Sequence, residues 1–383
     1  MMKEPSFVRR FRFWSVLTVV SIYLLILVGG IVRATGSGMG CPDWPRCFGQ
    51  WVPPTEASQL PPNYKEVYLA QRVAKNQKLA RTLASLGFQQ VAGNIFAHPT
   101  QYIETDFNAT KTWIEYLNRL LGALIGIFVF VTAVVAWPYR RRDATVFWLA
   151  VAGWLLTGIQ GWLGSLVVST NLLPIMVTIH MGLALLIVAL LLYAAHRARW
   201  GKVEEQADEA TTLETLSGQG DETAMNTAGL GWLLWGALFL TFVQIVLGTQ
   251  VREQVDRLAA MANYTGRDTW IDKLGSVFET HRTISAIVVL ANAVIGYQLW
   301  QLGVARLRQL IVVVWAVIGL EIVAGISLAY FALPAFVQPI HLTLATLLFG
   351  VQFVLLLALR RFTQAYALAP TVALAEPSFS QPK

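Results

Sequence analysis

The chain has 383 residues, 55% of them hydrophobic and only 13% charged, which excludes a disordered protein and points to a membrane. Its net charge of +7 is spread over short basic stretches between apolar runs. No soluble basic domain is present, so a nucleic-acid role is excluded.

A helix crossing the bilayer core needs about 20 apolar residues. Eight segments qualify, near 16–34, 113–137, 145–168, 175–195, 229–251, 278–300, 309–331 and 336–359. The pattern predicts an all-α integral membrane protein with eight transmembrane helices. The first segment is read as a retained span, since it is too long for a cleaved signal peptide and lacks a small-residue cleavage site. Sidedness follows from Lys and Arg in short loops. Arg9, Arg10 and Arg12 precede span one, Arg140 to Arg142 follow span two, and Arg197, Arg199 and Lys202 follow span four. Arg306 and Arg308 link spans six and seven, and Arg360 and Arg361 follow span eight. All fall on one side, which predicts cytoplasmic termini in a bacterial cytoplasmic membrane. The loop at 252–277, on the other side, carries four basic residues balanced by acids.

Span one ends in Gly29-Gly30-Ile31-Val32-Arg33. Its glycines allow close helix packing. Arg33 is equally readable as a snorkelling interface residue or as a partner for an anionic ligand group. A Gly- and Pro-rich loop over 35–49 follows and holds the only two cysteines, Cys41 and Cys47. The outer side is oxidising in bacteria, which favours a disulfide over a two-thiol metal site. Residues 63–91 read as one helix lying along the membrane surface. His98, in a loop before proline, reads as structural. Span two opens with Glu115, Asn118 and Arg119. Glu115 and Asn118, three residues apart, share nearly one helix face. Glu115 is either an ion-pair partner of Arg119 or a catalytic carboxylate.

Spans three and four form a unit that recurs as spans seven and eight. Gln160 stands 20 residues before His180 and Glu321 stands 20 before His341, while Leu173-Pro174 matches Leu333-Pro334. Span five ends in Gly248-Thr249-Gln250-Val251-Arg252, in parallel with the end of span one. Span six opens with His281-Arg282 where span two has Asn118-Arg119. The chain therefore reads as two similar four-helix halves. Residues 1–200 form the first half, 201–228 a Glu-, Asp-, Thr- and Gly-rich cytoplasmic connector, and 229–383 the second half.

Histidine within a span is costly and usually has a task. His281 and His341, on two helices of one half, suit axial ligation of a heme iron from opposite faces. Two hydrogen-bonded structural histidines are the competing reading. In the first half the equivalent pair is Asn118 and His180, and asparagine is a poor iron ligand. An intact pair suits a permanent cofactor, while a broken pair suits a heme that is altered and released. Glu115 corresponds to Phe278, so only the first half carries a carboxylate for chemistry. Arg119 and Arg282 suit heme propionates or act as interfacial anchors.

On these residues the sequence resembles the heme A synthase family. The most specific piece is residues 29–45, joined to Glu115-Tyr116-Leu117-Asn118-Arg119 and the two late histidines. The resemblance covers nearly the whole chain and implies two pseudo-symmetric four-helix bundles. It implies oxidation of the C8 methyl of heme O to the formyl group of heme A, for cytochrome oxidase assembly. His281 and His341 would hold heme b as cofactor, and His180 would ligate the substrate heme iron. Glu115 would be the catalytic carboxylate, and Cys41 and Cys47 a disulfide. Arg33, Asn118, Arg119, Arg252 and Arg282 would contact heme. Many members have histidine where this chain has Asn118. Heme O synthase is the expected donor, the electron acceptor is unknown, and a homo-oligomer is compatible. The alternative is a non-catalytic or quinol-linked b-type membrane cytochrome. A transporter fits less well, because the polar groups gather at one membrane face instead of mid-depth.

Overall fold

The computed structural model describes residues 5–43, 45–95, 106–170, 172–200, 220–262 and 265–373. His98 and most of the 201–228 connector lie outside the described residues. The helices are α1 (Ser6–Ala34), α2 (Tyr64–Ser85), α3 (Gln89–Asn94), α4 (Ala109–Val135), α5 (Tyr139–Arg142), α6 (Ala144–Ser169) and α7 (Pro174–Trp200). They continue with α8 (Gly220–Met261), α9 (Ser276–Gln301), α10 (Ala305–Tyr330) and α11 (Val337–Ala373). Eight of these, α1, α4 and α6 to α11, are long and apolar enough to cross a membrane. Their outward faces carry large exposed apolar side chains such as Phe13, Ile127, Phe239, Leu290 and Val323. That is the reverse of a water-soluble bundle and suits a lipid solvent. The chain is an all-α, multi-pass membrane protein.

Local chemistry sets the helix starts. Asn108 Oδ1 accepts from the Lys111 N–H at 3.0 Å ahead of α4, and Asp143 Oδ1 accepts from the Thr145 N–H at 3.3 Å ahead of α6. Pro174 opens α7, where its missing N–H costs nothing.

In the first half α1 packs on α4, α4 on α6, α6 on α7 and α7 on α1, closing a ring of four. Helices α8, α9, α10 and α11 close a second ring in the same order. The rings meet mainly through α1 and α7 on one side and α8 and α11 on the other. This packing is consistent with the two four-helix halves expected from the repeat. Equivalent positions meet at the interface. Gly30 of α1 lies so close to Pro339 of α11 that an added Cβ would sit 2.8 Å from the proline Cβ. Thr249 of α8, the counterpart of Gly30, has its hydroxyl 2.9 Å from that of Thr178 on α7. Thr178 and Pro339 each stand two residues before a histidine. Within the second ring, Gln352 Nε2 donates to Asn292 Oδ1 at 2.8 Å, and both side chains are buried.

The turns before α7 and α11 repeat closely. Leu172 and Leu333, each eight residues before its histidine, adopt φ of 60° and 53°. Each donates its N–H to the carbonyl five residues back, Val167 at 2.8 Å and Leu328 at 3.2 Å. This closes the preceding helix. The backbone thus pairs Leu172 with Leu333, one residue off the Leu-Pro match. The segment from Pro334 to His341 holds one residue more than its counterpart.

Three segments differ from the sequence-based expectation. The helix expected over 63–91 is broken at Gly87, whose φ of 89° ends α2 before α3 begins. Helix α2 is anchored to the C-terminal end of α6, where Asn76 Nδ2 donates to Ser169 O at 2.7 Å. Helix α8 runs on to Met261, through the first part of the expected outer loop. Nothing between Arg252 and Met261 breaks a helix, Glu253 pairs with Arg257 one turn on, and Val255 and Ala259 pack with Trp270 and Leu333. Helix α8 also begins at Gly220, inside the expected connector.

Candidate functional site

The second-half histidines converge from two helices. His281 lies in the second turn of α9 and His341 in the second turn of α11. Their ring centroids are 6.5 Å apart, with planes inclined at 75°. Each ring is seated by a neighbouring helix in the same way. Gln244 on α8 donates through Nε2 to the His281 carbonyl at 3.0 Å, and that Nε2 lies 3.4 Å from His281 Nε2. One turn further along α8, a Cβ on Gly248 would sit 3.4 Å from His281 Cε1. On α10, Glu321 Oε2 lies 2.6 Å from His341 Nδ1, a close contact off the line of a ring N–H bond. One turn on, a Cβ on Gly325 would sit 3.7 Å from His341 Cε1. A glutamine or glutamate sets the imidazole, and a glycine four residues later gives its ring a bare backbone to rest on.

The first half repeats this seat once. Gln160 Nε2 on α6 donates to the His180 carbonyl at 3.0 Å, and a Cβ on Gly164 would sit 3.5 Å from His180 Cε1. Among the described residues, His180 Nδ1 is buried without a partner. Asn118, on α4, presents a buried Oδ1 that is also unpartnered.

These residues fit a heme better than a bare metal ion. Among the described residues no three His, Cys, Asp or Glu side chains gather as a metal-ion site. A heme brings four of its own ligands and asks only for axial imidazoles. Metal–imidazole bonds of about 2 Å, with roughly 1 Å more to each ring centre, put two axial imidazoles about 6 Å apart. The observed 6.5 Å matches this.

Glu115 is 2% exposed and is bound to the cysteine loop. Its Oε2 accepts from the Cys41 N–H at 2.8 Å, and its Oε1 pairs with Arg119 one turn on. Arg119 donates in turn to the Cys41 carbonyl at 2.8 Å and the Asp43 carbonyl at 2.7 Å. Cys41 and Cys47 are joined as a disulfide, and both are fully buried. Asp43 accepts from the Phe48 and Gly49 N–H groups at 2.6 and 2.8 Å, closing the loop on itself. Arg119 is therefore committed to the loop. Arg282, its second-half counterpart, is exposed and lies over the Phe278 ring at 5.9 Å.

Arg33 and Arg252, at the matching ends of α1 and α8, converge on one carboxylate. Asp256 Oδ2 lies 3.1 Å from Arg33 Nη2, and Oδ1 lies 2.8 Å from Arg252 Nη2. Each arginine keeps a buried Nε without a partner, so each has a donor left for a further acceptor. The sequence reading missed Asp256 and Gln244. The spacing from Arg252 to Asp256, one helical turn, was a usable signal for the first. The Gln-x-x-x-Gly pattern shared by Gln160-Gly164 and Gln244-Gly248 was a usable signal for the second.

A family model described as cytochrome oxidase assembly protein, COX15-CtaA, matches residues 12–86 and 87–353. Several similar proteins are named heme A synthase. That of Shewanella oneidensis is 25% identical over 262 residues, covering 67% of this chain and 62% of its own length. That of Rhizobium johnstonii is 27% identical over 172 residues, 45% of this chain and 40% of its own. That of Rhizorhabdus wittichii is 31% identical over 185 residues, 48% and 46% respectively. The chain thus spans less than two thirds of the length of these relatives. With the family match running from α1 into α11, the chain belongs to the COX15-CtaA family of cytochrome oxidase assembly proteins.

Proposed function

We propose that this protein is a heme A synthase, oxidising the C8 methyl of heme O to the formyl group of heme A for cytochrome oxidase biogenesis. The observation that carries the reading is the asymmetry between two otherwise matching halves. The second half has two facing imidazoles, and the first has His180 with Asn118 in place of the other and a buried carboxylate, Glu115, where the second half has Phe278. His281 and His341 would hold a permanent heme b, which would supply one-electron redox chemistry of the kind side chains lack.

In the first half His180 holds the substrate heme iron, and Gln160 fixes the backbone at that histidine. Glu115 shares a helix face with Asn118 at the outer end of α4, close to the substrate edge. Both its oxygens are engaged by protein donors, so its role is to place negative charge and not to shuttle a proton. That charge stabilises positive charge developing at the reacting carbon. Arg33 and Arg252 offer their free Nε donors to propionates, and Arg282 offers its exposed guanidinium.

The basic residues at one set of helix ends support cytoplasmic termini in a bacterial inner membrane, with both heme sites toward the outer face. Heme O synthase is the donor under this reading, and the electron acceptor is a separate partner. A simple b-type cytochrome accounts for His281 and His341 but needs no difference between Glu115 and its counterpart Phe278. The test is pigment extraction from protein made in a host that produces heme O, with each heme identified by chromatography and mass. Heme b together with heme O or heme A supports the reading; heme b alone, or no heme, refutes it. Glu115→Gln should retain both hemes and stall product formation, and full activity would remove Glu115 from the chemistry.

A further inference from the structure

The four ligand positions of the two halves are built to one plan, and one of them has been rebuilt as a whole. At three, a glutamine or glutamate on the neighbouring helix reaches back to the histidine, and a glycine four residues later lies against its ring. These are Gln160 and Gly164 for His180, Gln244 and Gly248 for His281, and Glu321 and Gly325 for His341. The fourth position is Asn118 on α4, facing α1. The repeat aligns Gln244 with Leu25 and Gly248 with Gly29. The register agrees: Leu25 Cδ2 lies 4.0 Å from where a Cβ on Gly122 would sit, and Gly122 is one turn inward of Asn118. Helices α1 and α4 run antiparallel, so Gly29, one turn outward of Leu25, is level with Asn118.

Three differences follow at this corner. The imidazole is replaced by a shorter amide. The polar residue that would fix an imidazole is Leu25. The glycine that would back the ring is retained, yet among the described residues no atom beyond its own stretch of helix comes within 4 Å of its Cβ position, against 3.4 to 3.7 Å at the other three. Asn118 Oδ1, on the facing helix α4, is buried and has no partner among the described residues.

We propose that Leu25, Gly29 and Asn118 form a pocket, on the side of the first-half heme opposite His180, that admits a small neutral ligand of imidazole size or less to the iron. The inference rests on the reading of His180 as a heme ligand. Leu25 and Gly29 supply an apolar wall with room for a ring, and Asn118 Oδ1 takes the ligand's N–H. Asn118 is a positioning residue here, acting on the iron's ligand and not on the iron.

The test uses purified, heme-loaded full-length protein in detergent or nanodiscs, with imidazole as probe and heme content measured for every sample. The optical and electron paramagnetic resonance spectra should show one high-spin heme per chain that turns low-spin on titration, while the His281–His341 heme stays unchanged. Gly29→Leu should weaken imidazole binding at least tenfold with both hemes retained, since the added side chain enters open space. Leu25→Gln combined with Asn118→His should be low-spin without imidazole and insensitive to it. Two hemes per chain with no imidazole response, or a Gly29→Leu variant that binds imidazole as the parent does, overturns the pocket and leaves the heme reading standing. One heme per chain in the parent overturns both.

Discussion

The Glu115 carboxylate should act as the latch of the cysteine loop, whatever it does for the substrate. Replacing it with alanine removes the acceptor of the Cys41 N–H and the partner of Arg119. Removing one member of a buried ion pair costs about 3–5 kcal/mol. The Arg119 side chain is 14% exposed and keeps the carbonyls of Cys41 and Asp43, so the lower end applies, about 3 kcal/mol. At about 1.4 kcal/mol per tenfold, the population of the open loop should rise roughly 100-fold. Both cysteines are 0% exposed, so a reductant reaches the disulfide only through that open population. The rate of disulfide reduction by a water-soluble phosphine, read as mass-tagged thiols after alkylation, should therefore rise about 100-fold in Glu115→Ala by the same arithmetic. Glu115→Gln keeps an acceptor for Cys41 but loses the charge and the acceptor of Arg119, about 2 kcal/mol, so a rise of roughly 30-fold is expected. An alanine variant that reduces at the parental rate would refute the latch.

Three further outcomes are expected. His281→Ala and His341→Ala should each lose the low-spin heme b spectrum, and unchanged spectra in either would rule out ligation by the pair. Gly30→Ala should cost about 1–3 kcal/mol, because its Cβ would press on Pro339 across the interface between the halves; a thermal unfolding midpoint equal to the parent's would contradict that packing. Gln352→Leu strips Asn292 Oδ1 of its donor and should destabilise by about 1 kcal/mol. Changing both Asn292 and Gln352 to leucine should recover part of that loss, and strictly additive effects would show the pair is uncoupled.

The spans were legible because apolar length is a one-dimensional property. The two-half plan was legible because Gln160 to His180 and Glu321 to His341 keep the same 20-residue interval. Helix ends were less so. The run of α8 to Met261 depends on Val255 and Ala259 packing against Trp270 and Leu333, a contact no local window contains. Gly87 was visible as a residue, but its left-handed φ was not. In the candidate site, the histidines and Glu115 stood out because polar groups are rare in spans. Their partners did not, because Cys41 reaches Glu115 across 74 residues of chain and Asp256 reaches Arg33 across 223. The choice for Glu115 between ion pair and carboxylate chemistry looked exclusive in sequence. In space the pair with Arg119 exists and holds the carboxylate in place.

The helices that join the halves are not those that carry every candidate site residue. Contact between the rings runs mainly through α1, α7, α8 and α11, while α4, α6, α9 and α10 pack chiefly within their own half. Asn118 sits on α4, which packs chiefly within its own half. If the two halves arose by duplication, a change at that corner could be tried in one copy without loosening its grip on the other. The architecture leaves each half room to change at its own outlying helices, and the seam keeps both in one molecule.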